Sequence, residues 1–321
     1  MKTTKYLMMA AAATAFAACS NDMEVVNDGP VAAQISAGVS GPSTRAVDDK
    51  WEADEIGVMV TNATKSDMAE LYKNVKYTTT ATTDVADFAP TTGGGIFFQD
   101  ATETVTFAAY GPYKFTSDAK DLPENGVIAS LPTTDQSTRN KQKAFDFIHA
   151  SGVTASRSSS TVQFKEDHAF AHKMTRLVII VKTSAEHGFS AADVAGGTYK
   201  LSGLKHEGTF NVKTGEAQAT GNTMDDWSLS SNSLLTPDEV TQCKFTSILY
   251  PQTLATALTF TATVNRQTYS NNSSIKPALD AGTSYEYTIT VQKEGLTVSG
   301  CTISNWGTGT GGSGAATMPV N

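Results

Sequence analysis

Several side chains in this sequence are of types that do chemistry, and their spacing decides what that chemistry could be. His168 and His172 stand four apart, which on a strand puts them on one face. No Glu follows the first of them, as the zinc-seating H-E-x-x-H arrangement requires, so a structural or surface pair is expected and no metal site. Carboxylates occur in pairs at Asp48-Asp49, Asp54-Glu55, Asp225-Asp226 and Asp238-Glu239. A glycosidase needs two carboxyls facing one sugar, whereas neighbours on a strand point to opposite faces, so solvated turns and caps explain these pairs better. The run Gly309–Gly314 fits G-x-G-x-x-G, but the seven residues after it leave no room for the helix N-terminus that would cradle phosphate. Trp51, Trp227 and Trp306 could stack on carbohydrate. Core positions are the better expectation, with Trp227, beside Asp225 and Asp226, the one to test for a ligand. There is no G-x-S-x-G elbow and no cysteine in a nucleophile setting, so neither a catalytic residue nor a cofactor is expected.

Cys19 belongs to a different chemistry. Lys2 and Lys5, the apolar run from Leu7 to Ala13, and Ala17-Ala18 immediately before Cys19 have the build of an export signal. A cysteine after two alanines and before Ser20, Asn21 and Asp22 resembles a bacterial lipobox, in which Cys19 is acylated and becomes the new N-terminus. Several acyl chains would hold the protein to the outer membrane stably, each buried CH₂ contributing roughly 0.8 kcal/mol. Asp22 and Glu24 resemble the surface-export signal of Bacteroidota lipoproteins. Loss of residues 1–18 removes two lysines, leaving 22 basic against 32 acidic side chains where the full chain has 24 against 32. Such an acidic chain without a basic block has nowhere to bind nucleic acid. Cys243 and Cys301, 58 positions apart, are open to two readings, a disulfide or two buried thiols.

The elements that must position these residues are strands. Leu258, Phe260, Ala262 and Val264 alternate with threonines, and Tyr285, Tyr287, Ile289 and Val291 repeat the pattern, whereas Leu177 to Val181 is apolar throughout and reads as a central strand. Further strands are expected at Ile56 to Val60, Val75 to Thr79, Val105 to Tyr110 and Phe145 to Ala150. Short helices are expected from Ser66 to Tyr72 and from a Thr236 cap with Pro237 in the first turn. The chain is therefore mainly β, with a seam in the Ser- and Thr-rich stretch from Ser151 to Ser160. The organisation expected is a signal peptide (1–18), a linker after the lipidated cysteine (19–30), one domain over 31–155, a second over 156–306, and a Gly-rich tail (307–321).

Ordered blocks along the chain then make it similar to the fimbrillin family of Bacteroidota. They include the lipobox, Thr44-Arg45-Ala46 leading to Trp51 and Asp54–Val58, Phe107–Tyr113, Leu131-Pro132 with Asp135-Gln136-Ser137, and Asp146–Ala150. Later blocks are Val162–Phe164 with His168, His172 and Leu177, then Leu249–Thr253, Ala281–Tyr285 and Ile303–Gly307. The resemblance implies two tandem transthyretin-like antiparallel β-sandwich domains, other pilus subunits as partners, and strand exchange after an Arg-specific protease cuts. The residues can be asked whether they could do this. Val31, Ala33, Ile35, Ala37 and Val39 alternate as a strand with one buried face, and Gly41 to Thr44 break it within a loop spanning 40–47. Cleavage between Arg45 and Ala46 would free that strand and leave an open groove for another subunit's strand. In the tail, Ala316, Met318 and Val320 are candidate donor side chains. Pro319 removes a ladder donor there, and a frayed terminus fits the tail equally well. A lipid-anchored adhesin or glycan-binding protein that keeps its first strand, with a host or bacterial surface ligand, is the alternative expectation.

Overall fold

Alternation of apolar and polar residues is realised as a stack of sheets in a computed structural model. It describes residues 29–39, 50–91, 94–114, 122, 125–128, 131–184, 188–237 and 242–306. Cys19, Arg45, Ala46, Ala316, Met318 and Val320 lie outside the described residues, as do Asp48-Asp49, Asp238-Glu239 and the Gly309–Gly314 run.

The first strands are β1 (Val31–Ala32), β2 (Gln34–Gly38), β3 (Glu55–Ala63), β4 (Val75–Thr78), β5 (Val85–Pro90), β6 (Phe97–Phe98), β7 (Val105–Gly111), β8 (Val127–Ile128), β9 (Ile148–Ala155), β10 (Thr161–Phe164) and β11 (Ala171–His172). Eight of them form one sheet in the order β10-β2-β5-β4-β3-β7-β9-β11. Ile35 and Phe88 from one end of this sheet share a core with Phe107, Val153 and Ala155 from the other, and with Val162 and Phe164 of β10. The sheet therefore wraps around its own apolar face.

The later strands are β12 (Thr175–Thr183), β13 (Thr198–Ser202), β14 (Leu204–Asn211), β15 (Glu216–Met224), β16 (Trp227–Ser228), β17 (Leu234–Pro237), β18 (Gln242–Leu249), β19 (Leu258–Val264), β20 (Gln267–Ile275), β21 (Thr283–Gln292), β22 (Gly295–Val298) and β23 (Thr302–Asn305). One sheet runs β17-β18-β12-β21-β22, with β23 also on β21, and a second runs β16-β13-β19-β20. Leu177, Ile179 and Val181 of β12 pack with Tyr199 of β13 and Phe260 of β19 in one core, as the facing sheets of a sandwich do. β12 is central, antiparallel to β18 and parallel to β21. The β19–β20 turn places Asn265 and Arg266 at φ 51° and 65°, the left-handed pair whose twist suits a two-residue hairpin.

A third core joins these two parts. Met59, Ala108 and Tyr110, on the outer side of the first sheet, meet Phe210 and Val212, Ile248 and Tyr250, and Trp306. Phe147 and Phe210 stack at 4.4 Å across this joint.

Three expectations are corrected. The first sheet extends past 155–156, because β10 pairs in parallel with β2 and β11 pairs with β9. The stretch around Ser156 to Ser159 is a tight turn, and the chain passes to the second set of strands between His172 and Thr175. Thr236 and Pro237 start no helix. They close β17, an edge strand, where proline's missing N–H costs no ladder bond. The Ser66–Tyr72 helix is a single turn, Met68–Leu71.

Candidate functional site: the slot that holds β2

β2 lies inside a sheet. β5 pairs with it antiparallel, Ile35 opposite Phe88 and Ala37 opposite Ala86, and β10 pairs with it in parallel, Gln34 beside Thr161 and Ala37 beside Phe164. Further backbone bonds fix its ends: Ala33 N donates to Ile96 O (2.8 Å), Gln34 N to Ser160 O (2.9 Å) and Phe170 N to Gly38 O (2.9 Å). Of the five alternating side chains, Ala33, Ile35 and Ala37 are buried, while Val31 and Val39 are only partly so. One isoleucine, two alanines and two half-buried valines contribute about 4 to 6 kcal/mol of apolar burial. The main-chain ladder therefore carries much of the hold on β2.

Trp51 closes the slot. It is 2% exposed, meets Phe88 and Phe170 edge-on at 4.9 and 5.5 Å, and its Nε1 donates to Ala37 O at 2.9 Å. Beside it, Arg139 reaches Glu52 at 2.8 Å and Lys143 reaches Asp54 at 2.9 Å. His172 follows, its Nδ1 2.6 Å from Asp146 Oδ1 and its ring stacked on Trp306 at 4.2 Å. Asp146, 26 residues away, is a partner that spacing alone does not reveal. His168 points elsewhere: it is exposed, with Nδ1 3.0 Å from Ser151 O, so the two histidines form no joint site.

All three tryptophans are buried. Trp227, the candidate for ligand contact, is 2% exposed and donates from Nε1 to Thr134 O (2.8 Å), so no face is open to a sugar. Cys243 and Cys301 are buried free thiols, and burial pushes both up from the usual thiol range. Of the two readings left open, this is the one with two buried thiols, both side chains lying in the apolar core of the later sheets. Among the described residues no group of three or more His, Cys, Asp or Glu is placed to hold a metal ion. No described helix is long and apolar enough to cross a membrane.

The joint between the two parts uses side chains that the sequence patterns do not single out. Gln136 Nε2 donates to Ile248 O and Ile248 N donates to Gln136 Oε1, both at 2.7 Å, continuing the edge of β18 past the end of β17. Gln142 Nε2 donates to Thr246 O at 2.6 Å. His206 meets Thr133 Oγ1 at 3.1 Å, and His149 lies against the Gly215 turn. Burial pushes both histidines down to about 4, with Lys173 adding to the effect at His149.

The sequence profile of the fimbrillin-like family matches residues 44–306. The chain is 32% identical over 305 residues to a Bacteroides uniformis protein described as "Putative fimbrium subunit Fim1C", covering 92% of each chain. Two crystal structures share the fold, each described as a "putative cell adhesion protein". One, from Bacteroides uniformis, is 29% identical with a TM-score of 0.65 over 87% of this chain and 100% of that one. The other, from Bacteroides ovatus, is 26% identical with a TM-score of 0.68 over 87% and 98%.

Proposed function

Because the chain belongs to the fimbrillin-like family, we propose that it is a structural subunit of a surface pilus, exported as a lipoprotein through Cys19, cut between Arg45 and Ala46, and assembled by donor-strand insertion. The observation that carries this reading is the position of β2 between β5 and β10. After a cut in 40–47, β2 would leave with the N-terminal piece and its partner strands would stay with the body. Two strands would then face each other across an empty position, with unpaired N–H and C=O groups and an uncovered core beside Trp51. A strand from another subunit restores the ladder, with affinity from main-chain bonds and register from alternate side chains. Ala316, Met318 and Val320 are the donor side chains proposed for the tail. Division into two transthyretin-like domains, one wrapped around each principal core, fits the same reading. The partners would be neighbouring pilus subunits and an Arg-specific protease, and the site of action the cell surface.

The test is limited digestion of soluble precursor with an Arg-specific protease, followed by N-terminal sequencing and electron microscopy. A single new terminus at Ala46 with fibres supports the reading, and an intact or randomly nicked monomer contradicts it. The adhesion descriptions of the two structural relatives favour a second reading, a surface adhesin that retains β2. It would bind a host or bacterial surface ligand through an exposed face.

A further inference from the structure

Just beyond β2 the surface opens into a cleft of about 60 Å³ lined by Val39, Trp51, Ile56, Pro112, Ile148 and His172. Lys50, Glu52, Asp54, Glu55, Arg139 and Lys143 also line it, with Glu52 paired to Arg139, Asp54 to Lys143 and Glu55 to Lys76. In its wall His172 Nε2 is buried and makes no hydrogen bond among the described residues, while its Nδ1 is held by Asp146. A carboxylate only accepts, so Nδ1 donates to Asp146, and Nε2 is left facing the cleft for a group such as a hydroxyl, which can both donate and accept.

We propose that this cleft is a docking site for an uncharged, hydroxyl-bearing peptide segment, and that its occupant in the unassembled subunit is the chain's own segment 307–321. That segment departs from Trp306, whose ring lies flat on His172, 4.2 Å between centroids and 10° between planes, so it starts beside the cleft. It carries no charged side chain, which suits a site where Glu52, Asp54 and Glu55 already have basic partners. Thr308, Thr310, Ser313 and Thr317 supply hydroxyls, and its glycines and alanines are small enough for a cleft with room for only a few heavy atoms. Docking there keeps the segment against its own subunit beside the exit of β2. This requires no cleavage at Arg45, so it stands or falls separately from strand exchange.

The experiment is NMR of the uncleaved protein labelled with ¹⁵N-histidine, in two variants. One ends after Trp306, keeping every described residue; the other keeps full length with T308V, T310V, S313A and T317V. The expected result is a shift of the His172 Nε2 resonance in both variants, with the other four histidines unmoved. A synthetic peptide of residues 307–321 should restore the resonance in the shortened chain. A His172 signal unchanged in both variants overturns the site, leaving a cleft filled by water. A shift on truncation alone overturns the hydroxyl contact. Intact-protein spectra that revert to the truncated form on tenfold dilution assign the occupant to a neighbouring copy and overturn the in-chain arrangement.

Discussion

Trp51 Nε1 donates a 2.9 Å hydrogen bond to the carbonyl oxygen of Ala37, tying the start of the described chain beyond residue 49 to the strand before it. The bond recognises main chain, so any strand seated in the slot with a carbonyl at that position can receive it, whatever its side chains. A cut in 40–47 would separate the two residues covalently and leave this bond among the contacts that retain β2.

Replacing Trp51 by Phe keeps an aromatic edge against Phe88 and Phe170 but removes the donor. Urea unfolding of W51F should show a loss of about 1 to 2 kcal/mol. After Arg-specific cleavage, release of the N-terminal piece should be faster than in the parent, measured by size-exclusion chromatography over time. Equal stability and equal release would remove Trp51 from the account.

Ile35 is the one large side chain of β2 that is buried, at 2% exposure. I35A should cost about 2 to 4 kcal/mol in denaturant unfolding, since a methylene-rich side chain is lost from the core around Phe88 and Phe107. S36A, on the other face of the strand, removes a hydroxyl with no partner and should change stability by less than about 1 kcal/mol.

The alternation that marks β2, β19 and β21 was legible because burial on one face of a sheet leaves a period of two in the residues themselves. Leu177 to Val181 was legible for the complementary reason: Leu177, Ile179 and Val181 are buried on one face and Val178 on the other, so the apolar run is unbroken. The parallel pairing of β2 with β10 was not legible, since the two strands are more than a hundred residues apart and nothing local in Thr161–Phe164 specifies its partner. For the same reason the seam was expected too early: the serines around 156–159 signal a turn, and a turn can return the chain to the same sheet. Of the site, Trp51 and His172 stood inside recognisable blocks, but the bonds to Ala37 and Asp146 depend on tertiary packing.

The joint between the two parts should be sensitive to acid. His149 and His206 are held neutral, pushed down to about 4 from an ordinary 6.5. Above 6.5 both folded and unfolded forms are neutral there, and the histidines do not affect the balance. Between 6.5 and 4 the unfolded chain binds protons that the folded one refuses, so stability falls with pH, by about 3 kcal/mol for each histidine across that window. Chemical denaturation at several pH values should show the slope, and H149Q or H206Q should each flatten it.

Gly208 faces the ring of Tyr250, and a Cβ there would lie 2.3 Å from it. G208A must displace a buried tyrosine whose hydroxyl donates to Leu131 O at 3.2 Å, at a cost of about 1 to 3 kcal/mol. Hydrogen exchange should rise at Leu131–Gln136 and in β14 and remain unchanged in β5 and β10. Exchange rising evenly through the molecule would mean that the joint is not a local unit.

The most direct measurement of strand exchange is hydrogen–deuterium exchange on β5 and β10 in three states: precursor, cleaved monomer after removal of the N-terminal piece, and assembled fibre. Strand exchange requires protected amides in the precursor, exposure of Val85–Pro90 and Thr161–Phe164 once β2 has gone, and renewed protection in fibres that lack β2. Fibres that retain the original β2 in its slot, with β5 and β10 protected throughout, would contradict it.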